Sequence, residues 1–188
     1  MTGKLQYYLR VNTNLDDKQI DRIISYFKFR AEKKNTALLS EGEICKELYF
    51  VHSGCIRTYY LTKQGHEKTR YVAFENSIAT SISSFISQQQ SFEFVDTLEN
   101  SEILVISHRD FYQLVSEIPQ WEKFYRVLLE TAYLYQNKKI ESLVTLTAKQ
   151  RYDKLMAENP FYIQRLSNKI LASYLDIAQE TLSRLKSK

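Results

Sequence analysis

The side chains best suited to recognition chemistry stand at the carboxy-terminal end of this 188-residue chain. If residues 179–188 are helical, Gln179, Glu180, Thr181, Ser183, Arg184, Lys186 and Lys188 face outward while Leu182 and Leu185 face inward. Those outward types read nucleic acid: Arg bonds guanine, Gln adenine, Glu cytosine, and Ser or Thr either base edges or phosphates. A partner helix precedes them. Ser167 is placed to cap a helix running to about Leu175, with Ile170, Leu171 and Tyr174 apolar, and Asp176-Ile177-Ala178 forms a short turn. Ala172 is small where the second helix must cross the first, and Ile177 is placed to plug the gap between them. This is a helix-turn-helix pattern, with Ser167 and Lys169 as further phosphate contacts.

An ordinary helical hairpin with a basic, solvated face is the competing reading. Charge argues against it. Residues 119–188 hold 12 Lys/Arg against 7 Asp/Glu, whereas residues 1–118 hold 14 against 15. The three-residue turn also imposes the steep crossing that presents one helix to a DNA groove.

Catalytic chemistry finds no comparable constellation. His52, His66 and His108 are scattered, with no His-x-His pair for a cupin-like metalloenzyme. Cys45, His52 and Cys55 make only a loose metal trio, and both cysteines are expected as free thiols. The chain lacks GxGxxG, Walker A, GxSxG and HExxH sequences, so we expect no enzyme, no cofactor and no metal site. No apolar run approaches the roughly 18 residues of a membrane span, and residues 1–10 lack a signal-peptide core, which makes the cytoplasm the expected location and excludes a membrane partner.

These residues need elements to position them. All four glycines (Gly3, Gly42, Gly54, Gly65) fall in the first third of the chain, so the second half is expected to be helical. A short helix over about 15–28 carries Ile20, Ile23, Ile24 and Phe27 behind Asn14 or Asp16 as cap. Then the period changes. Leu48–Val51, Cys55–Leu61, Lys68–Phe74, Phe92–Leu98 and Glu102–Ser107 read as short strands between turns, giving seven or eight strands in a small barrel or jelly roll. A short helix follows from Ser107 or Asp110, and a long one runs from Pro119 to about Leu146. Its apolar residues are too many for one face, which points to a two-fold dimer burying the second stripe, or to a helix wholly buried between domains.

A glycine-turned β-roll, a long dimer helix and a terminal helix-turn-helix, in this order, resemble the Crp/Fnr family of bacterial transcription regulators. The carriers are Glu41-Gly42 and residues 49–57 (YFVHSGCIR) in the roll, and residues 170–184 (ILASYLDIAQETLSR) at the end. The resemblance implies that Glu180 and Arg184 contact bases, with Gln179 beside them, and that a homodimer reads half-sites about one helical turn apart. Two positions depart from the pattern: Asp176 replaces the turn glycine, and Ala178 stands where a Ser or Thr caps the recognition helix.

The resemblance also locates an effector cassette, corresponding here to residues 76–94. It has no Gly-Glu pair for a ribose, and Ser91 stands where an Arg would meet the cyclic phosphate. From Tyr71 to His108 there is no Lys or Arg, against Glu75, Glu93, Asp96, Glu99 and Glu102. A buried phosphate would lack a charged partner there, so cAMP and cGMP are not expected to bind in the family's way. Arg57 or Arg70 would be the side chains to rescue such binding. Ser81, Ser83, Ser84, Phe85, Gln90, Ser91 and Phe92 line the candidate pocket for an uncharged or cationic small-molecule effector; the alternative is a roll filled by its own side chains with the Ser/Gln run as a solvated loop.

The expected fold class is α+β: an N-terminal β-roll or jelly-roll sensor domain (residues 1–118), a long dimerisation helix (119–146) and a C-terminal helix-turn-helix domain (147–188). The expected function is transcriptional regulation by a homodimer joined through helix 119–146 and bound to double-stranded DNA, with RNA polymerase as a further candidate partner. A dimeric sensory or scaffold protein whose terminal hairpin binds another protein is the alternative.

Overall fold

The computed structural model describes residues 2–187; Lys188, one of the sequence-predicted DNA contacts, lies outside the described residues. The chain divides into two compact units, one of Met1–Tyr60 with Tyr71–Leu129 and the other of Leu61–Arg70 with Glu130–Lys188.

The first unit is built on two four-stranded antiparallel sheets. One has the order β1 (Lys28–Glu32), β8 (Ser101–Ser107), β3 (Glu47–Ser53), β6 (Ile78–Ala79); the other has β2 (Ala37–Leu39), β7 (Phe94–Thr97), β4 (Ile56–Leu61), β5 (Glu67–Ala73). The longest ladder pairs β3 with β8 and sets Leu48 opposite Ile106 and Phe50 opposite Leu104. Both strands are nearly continuous runs of apolar residues, as strands covered on two faces must be, and they form the centre of the core with Phe85, Phe111 and Trp121. Gly54 turns β3 into β4 at φ +93°. A Cβ there would stand 2.3 Å from Ser101 Oγ and 2.7 Å from the Asn100 carbonyl, so the turn admits glycine on grounds of both conformation and space.

Three stretches differ from the expected elements. The amino terminus forms α1 (Gly3–Asn12), which anchors itself through Leu5 and Leu9, one turn apart. The expected helix over 15–28 is shorter, α2 (Asp17–Ser25), opened by a capping box between Asp16 and Gln19, and β1 begins at Lys28 where β-sheet pairing outweighs the helical period. The Ser/Gln-rich run is no loop. It holds β6 and then α3 (Ile82–Ser87), whose C-cap Gln88 takes φ +53° and donates from its side-chain amide to the carbonyls of Cys45 and Phe85, at 3.0 and 2.9 Å.

Helix α4 (His108–Glu117) starts where expected, with the Ser107 hydroxyl accepting from the Asp110 amide. Pro119 opens α5 (Pro119–Thr145), a 27-residue helix. No helix among the described residues is long and apolar enough to cross a membrane.

The second unit continues along α5 and adds α6 (Ala148–Glu158), α7 (Phe161–Arg165), α8 (Asn168–Leu175) and α9 (Gln179–Lys186), together with the tip of the hairpin joining β4 to β5. Thr147 and Gln150 make a second capping box at the start of α6. Its core is formed by Leu155, Tyr162, Leu166, Ile170, Leu171, Leu175 and Leu182.

Candidate functional site

Local chemistry builds the carboxy-terminal motif. The Ser167 hydroxyl accepts from the Ile170 amide and starts α8, and four of its eight residues are buried. Asp176 ends the helix in the left-handed region at φ +54°. Its amide and that of Ile177 return to the Ala172 carbonyl, the latter at 3.0 Å, which is a Schellman-type stop made with an aspartate. Ala172 is almost fully buried, giving α9 room to cross, and Leu182 is fully buried as the anchor of α9. Ile177 is half-buried behind the turn. Ala178 occupies the N-cap position of α9 in extended conformation and supplies no side-chain bond.

Two cations outside the motif complete it, and the sequence reading missed both. Lys139 on α5 donates its ammonium to the Tyr174 carbonyl and lies 3.6 Å from the centre of the Tyr174 ring. Arg151 on α6 donates to the Leu175 carbonyl at 2.9 Å and the Asp176 carbonyl at 3.3 Å. The last carbonyls of α8 are therefore held by positive charge at the negative end of the helix dipole. Burial lowers the Lys139 pKa to about 8, with Asp176 raising it and Arg151 lowering it to lesser degrees. Spacing gave no signal for these contacts, because they join residues 24 to 35 positions apart.

On α9, Gln179, Glu180, Ser183 and Arg184 are exposed on one face, opposite Leu182. Thr181 is half-buried. Lys186 is also half-buried and donates to Asn168 Oδ1 at 2.6 Å, so one end of α9 is tied to the start of α8. Ser167 is engaged as a cap, and Lys169 pairs with Glu67 at 2.6 Å.

The candidate effector residues separate into two groups. Ser81, Ser84, Phe85 and Ser91 are buried, while Ser83, Gln90 and Phe92 are exposed, and Phe92 packs beside Tyr60 on the surface. Ser81 donates to Glu93 Oε2 at 2.7 Å and lies 2.9 Å from Ser91 Oγ, which in turn donates to the Glu93 carbonyl at 3.0 Å. Glu93 is 1% exposed. A buried carboxylate thus occupies the centre of the cassette, a feature that the sequence reading noted only as one of five negative charges. Arg57 lies on β4 and is 4% exposed. It makes a two-point bond to Asp96, Nε to Oδ1 at 3.1 Å and Nη2 to Oδ2 at 2.7 Å, and stacks 3.8 Å from the centre of the Tyr59 ring. Cys45 and Cys55 are buried free thiols, and among the described residues no group of three or more His, Cys, Asp or Glu is placed to hold a metal ion.

Residues 29–117, which span the roll from β1 to α4, match the cyclic nucleotide-binding domain model. The cyclic AMP receptor protein of Thermus thermophilus is 22% identical over 175 residues, covering 91% of this chain and 81% of that protein. The chain carries a cyclic nucleotide-binding domain and is similar to Crp/Fnr-type regulators. Its Crp/Fnr fold is seen in two further solved structures. FixK2 from Bradyrhizobium japonicum superposes with a TM-score of 0.76 at 15% identity, covering 86% of this chain and 83% of that one. CLP of Xanthomonas campestris, described as a c-di-GMP responsive global regulator, superposes with a TM-score of 0.73 at 19% identity, covering 90% and 89%.

Proposed function

We propose that this protein is a Crp/Fnr-type transcriptional regulator and not an enzyme, acting as a homodimer that reads a two-fold-related DNA site with α9. The observation that carries the reading is the face of α9. Gln179, Glu180, Ser183 and Arg184 are free of the core while Leu182 fixes the helix against α8, which is the arrangement a recognition helix needs to enter a major groove. Arg184, with its two-pronged donor, is the leading base contact, and Glu180 and Gln179 read beside it. Thr181, Ser183, Ser167, Lys169, Lys186 and Lys188 serve the phosphates. The domain boundaries near residues 118 and 146 are part of the same reading.

The second apolar stripe of α5 supports the dimer. Leu134, Ile140 and Val144 are each more than half exposed on this helix, and a paired helix would cover them. The roll answers to an uncharged or cationic effector. Serines and the buried Glu93 side chain line the cassette, and Ser91 stands where an arginine would meet a cyclic phosphate.

Selection of bound sequences from random duplex DNA, with the wild-type protein and Arg184→Ala in parallel, tests the reading. Enrichment of an inverted repeat by the wild type and loss of one base-pair preference in each half-site with Arg184→Ala is the expected result. Failure of a folded, dimeric protein to enrich any sequence, with cell extract supplied, would overturn it.

A further inference from the structure

The hairpin tip at residues 61–70 belongs to the same compact unit as the helix-turn-helix, and it lies along one face of α8. That face is made by Lys169, Ser173 and Asp176, at i, i+4 and i+7. The Glu67 carboxylate pairs with the Lys169 ammonium at 2.6 Å, and Lys68 pairs with Asp176. Between these ion pairs the Thr69 amide donates to Ser173 Oγ at 2.8 Å, and Ser173 Oγ donates to the Glu67 carbonyl at 2.9 Å. The Thr69 hydroxyl also lies 2.9 Å from Ser173 Oγ, so the tip is registered on the first helix of the motif by charged and neutral contacts together.

That first helix is the one that crosses the DNA backbone when the second enters the groove. Lys169 stands two residues beyond the Ser167 cap, at the amino-terminal end of α8 where backbone amides and a cation together suit a phosphate. Glu67 already supplies an anion at that ammonium. The Lys169 side chain is 60% exposed and that of Glu67 24%, so the ammonium end of the pair is open to water and its carboxylate partner can be exchanged for another anion. We infer that the hairpin tip is an intramolecular competitor for DNA phosphate: Glu67 holds Lys169 in the free protein and must release it when DNA binds. The inference rests on the DNA-binding reading above and adds to it a contact that weakens DNA affinity.

Phosphate contacts are independent of sequence, so the test uses a random-sequence duplex of about 30 base pairs at low salt, read by fluorescence anisotropy. Glu67→Gln is expected to bind about two- to fivefold more tightly per protomer. Lys169→Ala is expected to bind more weakly, and in its background Glu67→Gln should add nothing, because the two changes act on one bond. Hydrogen exchange gives a second readout: the Thr69 amide, protected by Ser173 in the free protein, should exchange faster once DNA is bound. Wild-type binding with Glu67→Gln unchanged or weaker, or Thr69 protection unmoved by DNA, would overturn the latch and leave the regulator reading standing. Absence of any duplex binding by the wild-type protein at low salt would bring down the regulator reading itself, and the latch with it.

Discussion

At the turn of the helix-turn-helix, single side chains carry measurable free energy. Asp176 holds φ +54°, a conformation that costs most L residues about 1–2 kcal/mol and glycine almost nothing. Asp176→Ala should therefore lose about 1 kcal/mol of unfolding free energy, through left-handed strain together with loss of the Lys68 pair, while Asp176→Gly should stay near wild type; urea titration separates the two. Ala178 sits in cap geometry without a capping side chain, and Ala178→Ser should stabilise the protein by up to about 1 kcal/mol in the same assay. Arg184→Ala should leave stability unchanged and cost roughly 1–3 kcal/mol in binding the preferred site. This motif was legible because its determinants are local: a serine cap, a buried small residue, a three-residue turn and an outward polar face all fall within twenty residues. Lys139 and Arg151 were not legible, since a cation that caps a helix from another element leaves no mark in spacing.

Among the elements, the long helix and the strands with apolar periods were read correctly in kind, and the short polar ones were not. Helix α5 announced itself through Pro119 and a run without glycine, whereas α1 buries only Leu5 and Leu9 and starts without a side-chain cap, and α3 is six residues of mostly serine and isoleucine. Such segments are helical because tertiary contacts hold them, as Gln88 does for α3. The β3–β4 turn makes a strong demand at one position. Gly54→Ala should destabilise the roll by more than about 2 kcal/mol, because the added methyl meets backbone atoms that cannot retreat, and thermal unfolding would show it as a lowered midpoint. Lys139 gives α5 a pH signature. Its folded pKa of about 8 lies below the ordinary lysine value, so between about pH 8 and 10.5 the unfolded chain binds more protons than the folded one and stability contributed by this group rises with pH. Unfolding free energies measured at pH 8 and pH 10 should show a rise that Lys139→Met lacks.

For the molecule as a whole, the dimer and the effector are where sequence and structure meet the proposal. Replacing Ile140 and Val144 by glutamate should convert the protein to monomers in sedimentation and weaken its DNA binding, without loss of helix content. Calorimetric titration with cAMP should give no tight binding, and Glu93→Gln should not suffice to create it, because no arginine replaces Ser91. The α+β class and the order of roll, long helix and helix-turn-helix were legible from glycine placement, periodicity and charge. The division into compact units was not, because the ten residues from the end of β4 into β5 group with helices about a hundred positions later. That discontinuity has a practical outcome. The helical unit is threaded by three covalent crossings rather than one, so a gene fragment beginning at residue 130 omits part of its own fold. Such a fragment would leave Ser173 and Lys169 without their neighbours and should unfold at lower urea than the same helices in the full chain. Grafting the helical unit onto another protein would require carrying the hairpin with it.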